Sequence, residues 1–425
     1  MNDENGRAGK RKESTVLRGA RCAIGSQTSP YASICIDGGR ITRIVLSSSS
    51  VQHTVPGKTE IDLSGFFVMP GLINAHDHLE FSLYPRLGDP PYRNYVEWGE
   101  DIHRKFADVI AKLHSIPKSV RLWWGGIRNL LCGVTTVAHH NPLWPELQSQ
   151  EFPIRVVHKC GWGHSLALGG DLRAARARTP AGSPFIVHAC EGVDELAREE
   201  LAGLDRLGLL DNDTILVHGL ALDRNGVALM RERGSSLIVC PSSNHFLFDA
   251  RPDVSLFDPI ENLTLGSDSP LTAEGDLLDE IRFALRFCGI APQTAYRMVT
   301  AAPAAILRLQ DAEGFIAESG SADLIAMRDT GRSPAESLAT LSASEIELVM
   351  IQGRVQLASA TVLKRLPPEI TQGLEPLAVD GAVRWLRAPV KKLLLATTQV
   401  FAEDALRLGS KRIQAPEAVE REYAL

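Results

Sequence analysis

Four short stretches of this chain place metal-ligand or proton-transfer side chains directly after apolar runs. NAHDH at 74–78 carries His76 and His78, HACE at 188–191 carries His188 and Glu191, His218 follows the run 214–217, and GSD at 266–268 ends on Asp268. Alternate side chains of an extended strand share a face, so His76 and His78 point the same way, a spacing that suits chelation of one metal ion. Taken singly, each has a plainer reading. A histidine after a strand is usually a hydrogen-bonded structural residue, Glu191 would be a carboxylate at a helix start, and Asp268 an N-cap. Three or more imidazoles and a carboxylate at four separate strand ends, in this order, are hard to explain as packing.

The elements that must position them alternate. Apolar runs at 66–73, 135–137, 154–157, 185–187, 214–217, 237–239 and 263–265 are separated by stretches of helical periodicity at 95–113, 120–131, 193–207 and 277–287. Strands that read as continuous apolar runs between helices indicate a parallel sheet buried on both faces. Residues 66–309 are about the length of a (β/α)8 barrel, in which chemistry sits at the C-terminal ends of the strands. Before them, 15–24, 33–36 and 41–46 read as short strands, with the two-glycine turn DGGR at 37–40. Strand texture returns at 322–327 and 346–352, so one sheet built from both chain ends is expected. The amphipathic stretch 383–406 predicts a pair of helices broken near Pro389.

Composition narrows the class. The 425 residues carry 45 Lys plus Arg against 51 Asp plus Glu, a formal charge of −6, with 44% hydrophobic and 23% charged residues. That balance excludes a disordered, collagenous or membrane-embedded chain, and the absence of a basic stripe argues against nucleic acid as a partner. Seven scattered cysteines with no CxxC argue against a disulfide framework and suit a reducing cytoplasm. Residues 1–14, polar and charged, read as a disordered lead-in rather than a signal peptide. No apolar stretch approaches the ~20 residues of a membrane helix.

Taken together, PGLINAHDHLEFSLYPRLG (70–88), HACEG (188–192), VHG (217–219), CPSSN (240–244), LGSDSP (265–270), TAAPAAILRL (300–309) and GSADLIAM (320–327) make the chain resemble the amidohydrolase superfamily, and within it the deaminase and chlorohydrolase branch. The resemblance implies an α/β fold. A TIM-like metal-dependent hydrolase barrel would span 66–309. A composite β-sandwich would form from 15–65 plus 310–360, leaving 361–425 as a helical C-terminal extension. It implies that His76, His78, His188 and Asp268 hold one divalent metal ion, zinc first by the N/O donor set, with iron or manganese as alternatives. Asp268 would take the proton of a metal-bound water whose pKa falls toward ~7. Glu191 would shuttle that proton, and His218 would orient the attacking hydroxide. The implied activity is hydrolysis of a carbon–nitrogen bond other than a peptide bond, foremost deamination of an aminated N-heterocycle. The alternative is a binuclear amidase or dipeptidase-like enzyme in which a carboxylated Lys159 bridges two metals and His218 becomes a ligand. A catalytically dead binding protein is a third reading, at odds with the presence of every ligand-type residue. The expected partner is a small-molecule substrate, with no nucleic acid and no membrane, and a homodimer is the default assembly at this size. One departure concerns 160–184, which leaves room for only an abbreviated fourth barrel strand. His139, His140, Trp162 and His164 are candidates to line the pocket there.

Overall fold

The computed structural model describes residues 14–24, 28–47, 58–168, 170–257, 262–401 and 406–416. The lead-in expected over 1–14 lies outside them except for Ser14, which opens the strand Ser14–Cys22.

The central chain builds two parallel ladders. One joins Leu72–Asp77, Val134–His139 and Arg155–Val156. The other joins Gly161–Gly163, Phe185–Ala189, Thr214–His218, Ser236–Val239 and Leu263–Leu265 in chain order. A parallel bridge between Asp77 and Asp268 ties the end of the last strand to the end of the first. The strands read as unbroken apolar runs because both faces are covered. Ile186, Ile215, Val217 and Ile238 pack inward together, while Val187, Leu216, Leu237 and Val239 pack outward under the helices. Helices Glu195–Arg206, Arg224–Arg233 and Leu277–Phe287 follow three of these strands, each begun by an aspartate N-cap (Asp194, Asp223, Asp276) that accepts from the first-turn amides.

Strands from both chain ends lie in one twelve-stranded sheet, joined where Phe66–Pro70 pairs antiparallel with Leu324–Arg328. DGGR is its two-residue hairpin: Asp37 pairs with Arg40, and Gly38 and Gly39 take φ of 57° and 83°, which glycine adopts without a Cβ penalty. Leu17, Ile34, Phe66, Leu324 and Met350 form a core separate from that of the parallel strands.

Three expectations are corrected. The run 66–73 is two strands, Phe66–Pro70 in the large sheet and Leu72–Asp77 in a parallel ladder. The chain changes sheets at Gly71, where a Cβ would collide with the Thr135 side chain. The periodic stretch 95–113 is two helices, Tyr95–Lys105 and Ala107–His114, meeting at Phe106. The tail is not a helical extension. Glu375–Val379, Ala382–Leu386 and Lys411–Gln414 extend the large sheet, and among the described residues of 383–406 only Val390–Thr398 is helical. Its hairpin turns at Asp380 and Gly381, both at positive φ. That turn signal outweighs apolar spacing that also fits a helix. Among the described residues no helix is long and apolar enough to cross a membrane.

Arg155 couples the two assemblies. From its parallel strand it pairs with the buried Asp323 at the start of Leu324–Arg328 and donates to Thr136 Oγ1 (3.0 Å) and Ser321 Oγ (3.2 Å). Asp323 also accepts from the Gln352 amide at 2.8 Å. Breaking a buried pair strands the other charge and costs about 3 kcal/mol or more. Asp323→Asn and Arg155→Ala should therefore each lower the denaturant midpoint, with the double variant no worse than the worse single. Additive losses would show that the two residues act separately.

Candidate active site

Site residues occupy the C-terminal ends of the parallel strands, where alternation aims His76 and His78 to one side and Asp77 to the other. His76 Nε2 lies 3.1 Å from His188 Nε2 and 3.7 Å from Asp268 Oδ1, and His78 Nε2 lies 3.6 Å from the same oxygen. All four are buried, His76 completely. Two donors bound to one zinc at about 2.0–2.1 Å in tetrahedral array stand roughly 3.3 Å apart, so the spacing and the N3O donor set fit a divalent ion. His218 also comes within ligand range of His76 and His188. Its Nε2 is 3.5 Å from Glu191 Oε2, which belongs to neither candidate ligand group.

Protonation states suit that role. Burial pushes His76 down to about 4 and His218 to about 3, and burial beside His140 and His164 holds His188 well below the usual imidazole range. All three are neutral imidazoles at pH 7. Burial opposes ionisation of Asp268, yet the adjacent His76 and the neighbouring imidazoles hold its carboxyl well below the usual carboxylate range. Glu191 goes the other way: burial, then the charge of Asp268, raises it well above the usual value, which favours its protonated form. Two carboxyl groups driven apart in this way are an acid and a base in waiting.

The backbone is bent to achieve this. Cys190, His218 and Asp268 have φ of 57°, 78° and 53°, a left-handed conformation that costs non-glycine residues of order 1–3 kcal/mol each and clusters at functional sites. Gly266 makes room for Asp268, since a Cβ there would stand 2.6 Å from His76 Cβ.

Sequence reasoning missed the groups that hold these residues. Ser243 and Thr272 hydroxyls donate to Asp268 Oδ2 at 2.7 and 3.0 Å, and Asn244 meets His218 Nδ1 at 3.3 Å. The Glu200 carboxylate accepts from the Cys190 amide (2.7 Å) and the Tyr95 hydroxyl (2.6 Å), which fixes the turn bearing Glu191. Behind the strand, Asp77 accepts from Arg128 (2.6 Å), Asn129 (2.7 Å) and Asn74 (3.1 Å). The signal available for this last group was a charged residue on the outward face of an apolar strand.

Of the pocket candidates, His164 lines the cavity over the histidines. His140 packs its ring 4.3 Å from that of His188 and meets the Gly163 carbonyl at 3.1 Å. His139 faces away, with Nε2 3.4 Å from Glu80, and Trp162 lines a neighbouring cavity. The abbreviated fourth strand is Gly161–Gly163, a segment with too few apolar residues to register as a run. Lys159 is exposed and lines neither cavity.

Ligand and acid separate by experiment. His188→Ala should lose bound metal and turnover together. Glu191→Gln should keep the metal while turnover falls about 10²-fold. Metal analysis beside steady-state rates decides, and a Gln variant as active as the parent would remove Glu191 from the chemistry.

Comparison with known proteins places the chain. The model of the amidohydrolase family matches residues 164–356. A 5-methylthioadenosine/S-adenosylhomocysteine deaminase of Natronomonas pharaonis is 27% identical over 287 residues, 55% of this chain and 65% of the relative. Among solved structures, atrazine chlorohydrolase from Arthrobacter aurescens complexed with zinc is 16% identical with a TM-score of 0.68, covering 91% of this chain and 99% of that one. An adenosine deaminase from Xanthomonas campestris with bound zinc is 19% identical with a TM-score of 0.62, covering 84% and 94%. The chain is thus similar to the amidohydrolase family over residues 164–356 and as a whole carries the fold of these solved structures.

Proposed function

We propose that this chain is a metal-dependent hydrolase that releases ammonia or a small amine from an aminated N-heterocycle, and that its eight parallel strands act as one barrel with the site at its rim. The observation that carries the reading is Glu191, buried beside the donor cluster with its carboxyl 3.5 Å from His218 Nε2 but outside the four proposed ligands. His76, His78, His188 and Asp268 would hold one divalent ion, zinc by their N3O chemistry. Bound there, the ion would lower the pKa of a water and make it nucleophilic at neutral pH.

The protein's own groups supply the proton transfers. As the water oxygen adds to the ring carbon bearing the amine, its proton passes to ionised Asp268, while Glu191 protonates the adjacent ring nitrogen. His218, held by Asn244, orients the attacking oxygen and offsets charge that develops during attack. On collapse, the carbon–nitrogen bond breaks, the departing amine takes the proton from Asp268, and Glu191 recovers its own from the adduct. Water and substrate thus become carbonyl product and ammonia, and both carboxyl groups return to their starting states.

A plain amide needs only leaving-group protonation, so a dedicated carboxyl is less demanded in a binuclear amidase. The exposed Lys159 offers that reading no bridge. Metal-replete protein should release ammonia or amine from at least one member of a panel of aminopurines, aminopyrimidines and aminotriazines. Hydrolysis of N-acyl amino acids or dipeptides, with no ammonia from any aminoheterocycle, would replace the deaminase reading with the amidase one.

A further inference from the structure

Above the histidine cluster lies a cavity of about 280 Å³, at the small end for a ligand site. Its walls come from the 3-10 turn after the first parallel strand, the helices Tyr95–Lys105 and Ala107–His114, and the loop after Asp268. They present Phe81, Tyr84, Trp98, Ile102, Ile110 and Leu271. Trp98 Nε1 donates to the Leu87 carbonyl at 2.9 Å and the Tyr95 hydroxyl to Glu200, while the buried Tyr84 hydroxyl has no hydrogen-bond partner among the described residues.

Among the described residues, no lysine or arginine lines this cavity. The cations nearest in sequence to its walls are turned away. Arg86 donates to the Ala273 carbonyl at 2.9 Å, Arg104 and Lys105 pair with Asp101, Arg121 donates to the carbonyls of Ile116 and Glu80, and Lys112 sits over the Phe401 ring. At the mouth stand the exposed His103 and His114, the latter lowered by burial and by Arg121 and so neutral at pH 7. A carboxylate on the substituent, held against these walls, would leave water with no lysine or arginine to pair with, whereas an alkyl or aryl group would meet mostly apolar side chains.

We propose that this cavity selects small, uncharged aminoheterocycles bearing an apolar substituent and turns away those bearing a carboxylate tail. The inference rests on the deaminase reading only for the identity of the ring. It goes beyond the names of relatives, since S-adenosylhomocysteine itself carries an amino-acid carboxylate.

The test is calorimetric titration of metal-replete protein with two melamines matched in shape, one bearing an N-isobutyl and the other an N-carboxymethyl group. The isobutyl compound should bind about 30-fold tighter. Leu168→Arg, at a half-exposed position on the rim, should raise affinity for the carboxymethyl compound roughly threefold and leave the isobutyl compound little changed. Equal or tighter binding of the carboxymethyl compound to the parent would overturn the proposal, as would failure of both to bind at millimolar concentration. Tight binding of the isobutyl compound with no amine released from any aminoheterocycle would uphold the pocket's selectivity while removing the deaminase reading.

Discussion

Two reciprocal backbone hydrogen bonds hold the site together. The His78 amide donates to the Asp268 carbonyl and the Asp268 amide to the His76 carbonyl, both at 3.1 Å, where the first and last parallel strands meet. Residues almost 200 positions apart in the chain are thereby set side by side, with three side chains converging on one point. The bridge forms only because Asp268 takes a left-handed backbone and Gly266 lacks a Cβ that would strike His76. Either change alone would move the carboxylate off the histidines.

Charge burial around that bridge explains much of the remaining polar architecture. Asp77 faces the opposite way from His76 and His78 with no exposure to water, so Arg128, Asn129 and Asn74 must satisfy it. Ser267 joins the same network through Asn74, which pins the last strand's loop to the first strand a second time. On the other side, Ser243 and Thr272 fix the carboxylate of Asp268, and Glu200 fixes the turn beneath Glu191. Tyr95 adds a link from the cavity wall to that turn, so the helix over the site and the turn bearing Glu191 share one hydrogen-bonded residue, Glu200.

Much of the parallel core was legible because its strands are apolar on both faces and end in residues with no packing reason to be there. The His76, His78, His188, Glu191, His218 and Asp268 set could be read from such strand ends alone. Less legible were elements whose signal lies in partners distant in sequence. Gly161–Gly163 is a strand by virtue of its neighbour Phe185–Ala189, not of its own residues. The tail strand Ala382–Leu386 spaces its buried residues three apart, as a helix would, and pairing with Arg354–Ser359 decides the matter. Ser243, Thr272 and Glu200 are common polar residues whose role depends on distances that no local pattern encodes.

The central claim is that His76, His78, His188 and Asp268 form one divalent-ion site. Its most direct test is the metal content of the purified full chain, measured by elemental analysis against protein concentration. One tightly held ion per chain is expected, retained when Lys159 is replaced by alanine. Two ions per chain, with one lost in Lys159→Ala, would contradict the account and move the protein to a binuclear chemistry.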